Sequence, residues 1–139
     1  MPELTGLEPL LQVHDMPEAV AFYRDVLGFT VAAQSPEIED GGRRYFHWCR
    51  LTRGPIALML NTACDTGERP AQRDAARQAA HEDTCFYIGC PDPDAAWREL
   101  TAKGLVLDPP ATAPYGMRQL HLRDPDGYAI CLQWSASDQ

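Results

Sequence analysis

The sequence is short of long hydrophobic runs and of positive charge. Its apolar stretches are brief, and one of the cleanest, residues 56–60, falls far below the roughly 20 residues that a membrane-spanning helix needs. Lys and Arg total 12 against 20 Asp and Glu, which gives a formal net charge of -8 at pH 7. Since nucleic-acid binding favours a basic surface, the sequence predicts neither a nucleic-acid nor a membrane partner.

The sequence also lacks any paired cysteine motif. No two of its cysteines are spaced as C-x-x-C, so neither a zinc knuckle nor a redox dithiol is predicted. The first residues, MPEL, show neither the basic segment nor the apolar run of a signal peptide. Scattered thiols without such a signal indicate a cytoplasmic protein. The five cysteines are Cys49, Cys64, Cys85, Cys90 and Cys131.

A short strand followed by a capped helix opens the chain. Residues 10–13 predict the strand, and Asp15 is a good helix N-cap because Glu18 stands three residues after it. Gly28 is the residue expected just past the end of the helix. The apolar side chains of this segment recur at helical spacing and predict one buried face: Met16, Val20, Tyr23 and Leu27.

The second half of the chain repeats this order. Asp92 is the N-cap, Pro93 takes the first helical position and Gly104 ends the helix. Three strands are predicted after each helix, over 29–33, 45–51 and 56–60, and over 105–107, 116–122 and 128–134, and a further strand, 84–88, precedes the second helix.

A short motif, G-x-R-x-x-H, occurs once in each half and supports a tandem repeat. GRRYFHW contains Arg44 and His47, and GMRQLHL contains Arg118 and His121. The shared order of elements predicts an α+β fold of two βαβββ modules in a single domain, residues 1–139. The modules cover about 7–61 and 84–134. The polar stretch between them, 62–83, is a linker or a mobile flap in which Pro70 begins a short helix.

Two segments resemble one known family. LLQVHDMPEAVAFYRDVLGF and YGMRQLHLRDPDGYAICLQ are similar to the two halves of the vicinal oxygen chelate superfamily. That superfamily includes glyoxalase I, bleomycin-resistance proteins, fosfomycin-resistance enzymes and extradiol dioxygenases. The resemblance covers roughly residues 7–134. It implies curled mixed sheets around a cavity, helices on the outside, and a homodimer.

The resemblance also implies a divalent metal, held by His, Gln or Glu side chains of the first and last strand of each module. In this sequence Glu8 falls at the first of these positions, and the third falls within 83–85. No carboxylate lies between Asp40 and Asp65, and Cys131 takes the place of the remaining glutamate. We therefore expect no cofactor, and a divalent metal is disfavoured although it is not excluded.

Aromatic and polar side chains near the repeated motif are the candidates for contact with a ligand. Strand alternation leaves open whether His47 or Trp48 faces the expected cavity, because both faces of that strand carry apolar groups. Stacking on aromatic rings would suit a planar molecule. The predicted ligand-binding residues are Tyr45, His47, Trp48, Tyr115, Arg118, His121, Cys131 and Glu8, and none is assigned a catalytic or metal-binding role.

Three functions are compatible with these features. The favoured one is a metal-independent protein that sequesters an aromatic or cationic small molecule, as bleomycin-resistance proteins do by resemblance. The alternative is a divergent metal-dependent lyase, isomerase or dioxygenase with a rebuilt metal site. The third is a module that binds a protein partner through its sheet edges. The negative net charge suits a cationic ligand but does not select one function.

Overall fold

A computed structural model describes residues 1–138, which divide into two compact units, one over 1–73 and one over 74–138. Each unit contains a four-stranded mixed sheet with helices, so the predicted α+β fold of two βαβββ-like modules is confirmed. The unit boundary falls inside the predicted linker. No helix among residues 1–138 is long and apolar enough to cross a membrane.

The first unit has its sheet in the order β1-β6-β5-β2, with β1 parallel and the other neighbours antiparallel. The helix α1 begins where the Asp15 side chain accepts a hydrogen bond from the Glu18 amide, and it continues into a π-helical turn, Phe22–Val26. The elements are β1 Leu10–Val13, α1 Met16–Ala21, β2 Thr30–Gln34, β3 Ile38–Asp40, β4 Arg43–Tyr45, β5 Trp48–Arg53 and β6 Ile56–Thr62.

The second unit repeats this architecture with the order β7-β10-β9-β8. Its helix α3 is capped by Asp92, whose side chain accepts from the Ala95 amide, and Pro93 takes the first helical position as predicted. The elements are α2 Ala75–Ala80, a 3-10 turn His81–Asp83, β7 Cys85–Gly89, α3 Pro93–Ala102, β8 Ala111–Thr112, β9 Met117–Arg123, β10 Ala129–Ser135 and a 3-10 turn Ala136–Asp138.

Each core lies between the sheet and its own long helix. In the first unit, all four residues predicted for the helix face are buried, and they meet a row of buried strand residues that alternate along β1, β5 and β6. That row consists of Leu11, Val13, Cys49, Leu51, Leu58 and Leu60. In the second unit the matching buried residues are Leu120, Leu122, Ile130 and Leu132, with Leu100 of α3.

The strand predicted over 45–51 is wrong at its start. Residues 38–40 and 43–45 instead form the separate hairpin β3–β4, and β5 begins only at Trp48. Gly41 and Gly42 make the tight turn, with φ of 59° and 81°. Positive φ at both central residues is what a two-residue hairpin turn needs, and glycine supplies it without steric penalty. The strand predicted over 105–107 is also absent, and β8 lies later.

The segment 62–83 is bonded to one unit along its first part and to the other along its last part. Thr66 contacts His47, the Gly67 amide donates to Asp40, and Arg73 pairs with Glu18, all within the first unit. The helix in this segment begins at Ala75 and not at Pro70, because the Asp74 side chain caps the amides of Ala76 and Arg77.

Within the second unit, α2 and the 3-10 turn after it pack on the turn between β9 and β10. The Gln78 side chain donates to the Pro125 carbonyl at 3.1 Å, and His81 Nδ1 contacts the Asp126 carbonyl at 2.6 Å. The His81 ring stacks on Tyr128, with centroids 3.9 Å apart. The end of the predicted linker is therefore an ordered part of this unit.

Candidate functional site

Each sheet has one face packed against the long helix of its unit and one face that this helix leaves uncovered, which we call the open face. Because side chains alternate across a strand, the residues between the buried core positions point to the open face. Ligand-binding candidates that lie there do not pack against this helix. Candidates on the helix-bearing face are tied into the fold.

The open face of the first unit carries two central rows of side chains that run across the strands. In one row, strand pairing places Met59 between Leu10 and Arg50. In the next row, it places Asn61 between Gln12 and Trp48. Trp48 therefore lies on the open face, and its neighbour Cys49 lies in the core. This resolves the alternation that the sequence left open for this strand.

Glu8 lies beside these rows and is engaged by an arginine of the same face. The Arg50 guanidinium donates to both Glu8 carboxylate oxygens, with contacts at 2.5 and 2.9 Å. This hydrogen bond lowers the pKa of Glu8 below its ordinary value. Within the first unit, the one carboxylate that the sequence offered as a metal ligand is thus already neutralised by a bidentate partner.

The open face of the second unit has the corresponding two rows. Cys131 lies between Tyr87 and His121 in the first, and Gln133 lies between Gly89 and Gln119 in the second. His121 and Tyr87 are exposed, whereas Cys131 is fully buried. These rows contain no carboxylate, lysine or arginine. The sequence predictions His121 and Cys131 both lie on this face.

Tyr115 projects from the turn between β8 and β9 and is joined to the second row. Its hydroxyl accepts a hydrogen bond from Gln119 Nε2 at 2.8 Å, and the same amide donates to Gln133 Oε1 at 2.9 Å. Gln119 is only 8% exposed, but the Tyr115 ring is 69% exposed. Neither Gln119 nor Tyr87 was predicted from the sequence. The alternation of β7 is the available signal for Tyr87, but only the ladder register shows that it lies beside Cys131.

The Cys131 thiol is protonated at neutral pH, because burial raises its pKa to about 11, with a smaller contribution from Cys85. A thiol of this kind is a poor nucleophile and a poor metal ligand, since both roles require the thiolate. The nearby thiols of Cys85 and Cys131 and the Tyr115 hydroxyl also raise the pKa of Tyr87. Ionisation of Cys131 and of Tyr87 is therefore disfavoured on this part of the face.

Raised thiol pKa values make stability fall in alkaline solution. Between pH 9 and 11 the unfolded chain loses the proton of Cys131 while the folded chain keeps it, so the free energy of unfolding decreases with pH. The loss attributable to this thiol should be about 2 kcal/mol. Urea unfolding at a series of pH values measures it.

The matched variants are Cys131→Ala and Cys49→Ala, because burial raises the pKa of Cys49 to about 11 as well. Each should flatten the alkaline decline by a similar amount. A decline unchanged by both substitutions would show that other groups cause it.

Arg118 lies on the helix-bearing face, where it holds α3 against β9. Its guanidinium donates to both carboxylate oxygens of Asp94, at 2.6 and 2.8 Å. This hydrogen bond lowers the pKa of Asp94 and raises that of Arg118. The ladder pairs Arg118 with Trp134, which is partly exposed at the end of β10. The structure therefore separates Arg118 from the open-face candidates.

Tyr45 and His47 are tied to neighbouring polar groups of the first unit. The Tyr45 hydroxyl donates to Asp40 at 2.9 Å. The two ring nitrogens of His47 contact the hydroxyls of Thr62 and Thr66, at 2.6 and 2.8 Å. His47 precedes β5 and is not a member of either central row.

The repeated motif does not mark equivalent positions in the two units. Each central row of the first sheet corresponds to one central row of the second sheet. In this correspondence, Arg50 is the counterpart of His121, and His47 is the counterpart of Arg118. The G-x-R-x-x-H letters are thus three positions out of register, and an odd shift moves a side chain to the opposite face of the strand. The shared motif therefore does not place His47 and His121 at equivalent positions of the two units.

A small cleft in the first unit lies at the start of α1. Burial opposes ionisation of Asp15 there, but hydrogen bonds from the Glu18 amide and from Arg43 outweigh it and lower the pKa of Asp15. The cleft has a volume of about 10 Å³, room for about one water molecule. It is lined by His14, Asp15, Met16, Pro17, Arg43, Tyr45, Thr62, Cys64 and Arg69. A drug-sized ligand does not fit in it.

The side chains present do not fit the metal centre that the resemblance implies. Within residues 1–138, no three His, Cys, Asp or Glu side chains are grouped closely enough to hold a metal ion. On the first open face the only carboxylate beside the central rows, Glu8, is bound by Arg50, and in the second unit those rows offer a protonated thiol and one imidazole. Mg²⁺ and Mn²⁺ prefer carboxylate and carbonyl oxygens, and the sites that hold Zn or Fe combine several imidazole, carboxylate or thiolate ligands, which these rows do not supply.

The sequence matches the family model of the Glyoxalase/Bleomycin resistance protein/Dioxygenase superfamily over residues 7–132. The chain therefore belongs to this superfamily, as the sequence motifs predicted. No curated protein matches the chain.

Solved structures of the same fold are similar along nearly the whole chain. A glyoxalase/bleomycin resistance protein/dioxygenase from Nocardioides is 19% identical with a TM-score of 0.70, covering 100% of this chain and 89% of its own. TnmS3, an antibiotic-binding protein from Streptomyces sp. CB03234, is 22% identical with a TM-score of 0.66, covering 97% and 99%. A bleomycin-binding protein from Streptomyces verticillus, complexed with copper(II)-bleomycin, is 25% identical with a TM-score of 0.63, covering 95% and 97%.

Proposed function

We propose that this chain is a metal-independent small-molecule-binding protein of the bleomycin-resistance type, which sequesters an aromatic or cationic compound without altering it. The observation that carries the proposal is the chemistry of the open faces. They present aromatic rings, amides and an imidazole, while the one carboxylate beside the central rows is held by Arg50. Such a surface binds by stacking and hydrogen bonding.

The similar structures support the same proposal. TnmS3 binds an antibiotic, and the Streptomyces verticillus protein binds bleomycin. The superfamily also contains dioxygenases and glyoxalases, so membership alone does not choose between binding and catalysis. The choice rests on the side chains described above.

The ligand contacts that we propose are the predicted residues on or beside the open faces: Glu8, Trp48, Tyr115, His121 and Cys131. The other three predicted residues are committed to the fold. Arg118 fixes α3, and Tyr45 and His47 tie neighbouring segments of the first unit together. We propose the first set as ligand contacts, each on or beside the open face of its own unit, and the second set as structural support within each unit.

Metal content and a compound screen together test this function. Untagged protein would be purified without chelators, offered Zn, Mn, Fe, Ni and Mg in turn, and analysed by mass spectrometry. We expect no stoichiometric metal, and we expect aromatic or cationic compounds from a calorimetric screen to bind at one site per chain. One tightly held metal equivalent per chain, together with turnover of a bound compound, would overturn the proposal in favour of an enzyme.

Trp48→Ala should weaken binding of a screened aromatic compound by about tenfold while changing the free energy of unfolding little. Its ring is partly exposed on the open face, so it contributes more to ligand stacking than to the core. Isothermal titration calorimetry gives the affinity. The matched control is Trp134→Ala, because Trp134 packs against Gly89 at the end of β10. Equal losses in both variants would remove Trp48 from the binding surface.

We also propose that the protein is a cytoplasmic homodimer. The family resemblance and the scattered unpaired cysteines support this proposal. Sedimentation velocity of the purified protein tests the dimer, and a single species of 15.5 kDa would contradict it.

A further inference from the structure

Tyr115, the exposed tyrosine at the tip of the β8–β9 hairpin, is held in place by side chains of the sheet. An exposed tyrosine usually moves freely, but the Tyr115 hydroxyl is fixed by the nearly buried amide of Gln119, which is itself anchored on Gln133. Both hydrogens of the Gln119 amide are used in these two bonds. The Tyr115 hydroxyl accepts here, and its own hydrogen has no acceptor among residues 1–138, so it can donate to a ligand.

A second exposed ring shares this part of the face. Tyr87 is 57% exposed and lies in the row next to the one that contains Gln133. An electrostatic interaction with Tyr115 contributes to the raised pKa of Tyr87. Within the described part of the chain, neither ring stacks on another aromatic ring. Two large rings are therefore exposed to water on one side of one sheet, and a flat molecule that covers both would remove considerable apolar surface from water.

The side chains around these two rings disfavour a charged ligand. Apart from the His121 imidazole, the side chains of the two central rows are uncharged at neutral pH, since Cys131 is a protonated thiol. The nearest arginine on the open face of β9, Arg123, is in the adjoining row and is engaged by the Gly127 carbonyl and by Glu82. A carboxylate that would attract a cation is missing from both rows.

We propose that Tyr87 and Tyr115, with the amides of Gln119 and Gln133 between them, form a shelf for a planar, uncharged aromatic molecule. Gln119 is a positioning residue that acts through Tyr115. The inference rests on the proposed small-molecule-binding function and narrows it, because it removes cationic compounds from the preferred class and names the aromatic contacts on the second open face.

Three dyes that share one ring system test the charge preference. Quinizarin is an uncharged planar dihydroxyanthraquinone, quinizarin sulfonate is an anionic sulfonated derivative of it, and mitoxantrone carries two cationic arms on the same ring system. They would be titrated into the protein at pH 8 and followed by fluorescence and calorimetry. We expect quinizarin to bind about tenfold more tightly than either charged dye. Equal or weaker binding of quinizarin would overturn the charge argument.

Substitutions test the shelf itself. Tyr87→Ala and Tyr115→Ala should each weaken quinizarin binding by about tenfold, whereas Val106→Ala, at a fully exposed apolar position, should leave it unchanged. Tyr115→Phe and Gln119→Leu should give losses that are not additive in the double variant, because both remove the same hydrogen bond. Additive losses would show that Gln119 does not act through Tyr115. Thermal unfolding of each variant confirms that it folds.

The outcomes separate this inference from the proposed function. Stoichiometric binding of mitoxantrone that is insensitive to Tyr87→Ala and Tyr115→Ala would overturn the shelf while small-molecule binding stands. Failure of all three dyes and of every compound in the wider screen would overturn both.

Discussion

Gly127→Ala should lower the free energy of unfolding of the second unit by about 3 kcal/mol. Gly127 has a φ of 82°, a conformation that costs alanine about 1 kcal/mol or more by itself. A Cβ there would lie 2.8 Å from the Gln78 carbonyl oxygen, a backbone atom that cannot rotate away. The substitution therefore pushes α2 off the turn between β9 and β10. Urea unfolding followed by circular dichroism measures the loss.

Gly116→Ala is the matched control for this prediction. Gly116 has a similar φ of 89°, but a Cβ there would meet no atom within 4 Å. It should lose only the backbone contribution, about 1 kcal/mol. Equal losses at the two glycines would mean that α2 yields without resistance and does not pack firmly on the turn.

Leu51→Ala should destabilise the first unit by about 3 to 4 kcal/mol. Leu51 is fully buried in β5 between strand and helix, so truncation removes its packing and leaves a cavity that the surrounding sheet fills only partly. Chemical denaturation monitored by tryptophan fluorescence gives the value. Leu7→Ala is the control, since Leu7 is 92% exposed and its loss should stay within about 0.5 kcal/mol. A small effect at Leu51 would contradict the core described here.

Much of the fold follows from local sequence signals. These signals are the helix caps at Asp15 and Asp92 and the apolar face of the first helix. Each depends on residues close together in the sequence, and all of them are confirmed. The β3–β4 hairpin was missed although Gly41-Gly42 is a strong turn signal, because the run from Tyr45 to Leu51 looked like one continuous strand. Nothing in the local sequence at residues 46 and 47 indicates that the strand is interrupted there.

The candidate site was harder to predict because it depends on register. Two segments that share three letters were aligned by those letters, but hydrogen-bonded ladders set which residues lie side by side, and an error of three positions exchanged the two faces. The sequence offered Trp48, Tyr115 and His121 as aromatic or polar residues near the motif, and the family resemblance offered Cys131. As ligand contacts these residues stay predictions. Gln119 was not predicted, since nothing in the sequence tells a glutamine that holds a tyrosine from one that faces solvent.

The two open faces occupy matching places in a repeated architecture, yet their chemistry has diverged. Where the first sheet pairs Glu8 with Arg50, the matching positions of the second hold Cys85 and His121. Neither residue of the Glu8–Arg50 ion pair can be substituted without leaving the other charge unpaired, whereas the thiol, imidazole and phenol groups of the second sheet can each be substituted singly. If the chain binds a small molecule as proposed, its ligand preference can therefore be changed through the second half of the chain alone. For directed evolution, a library confined to the second sheet would sample new specificities against a constant first half.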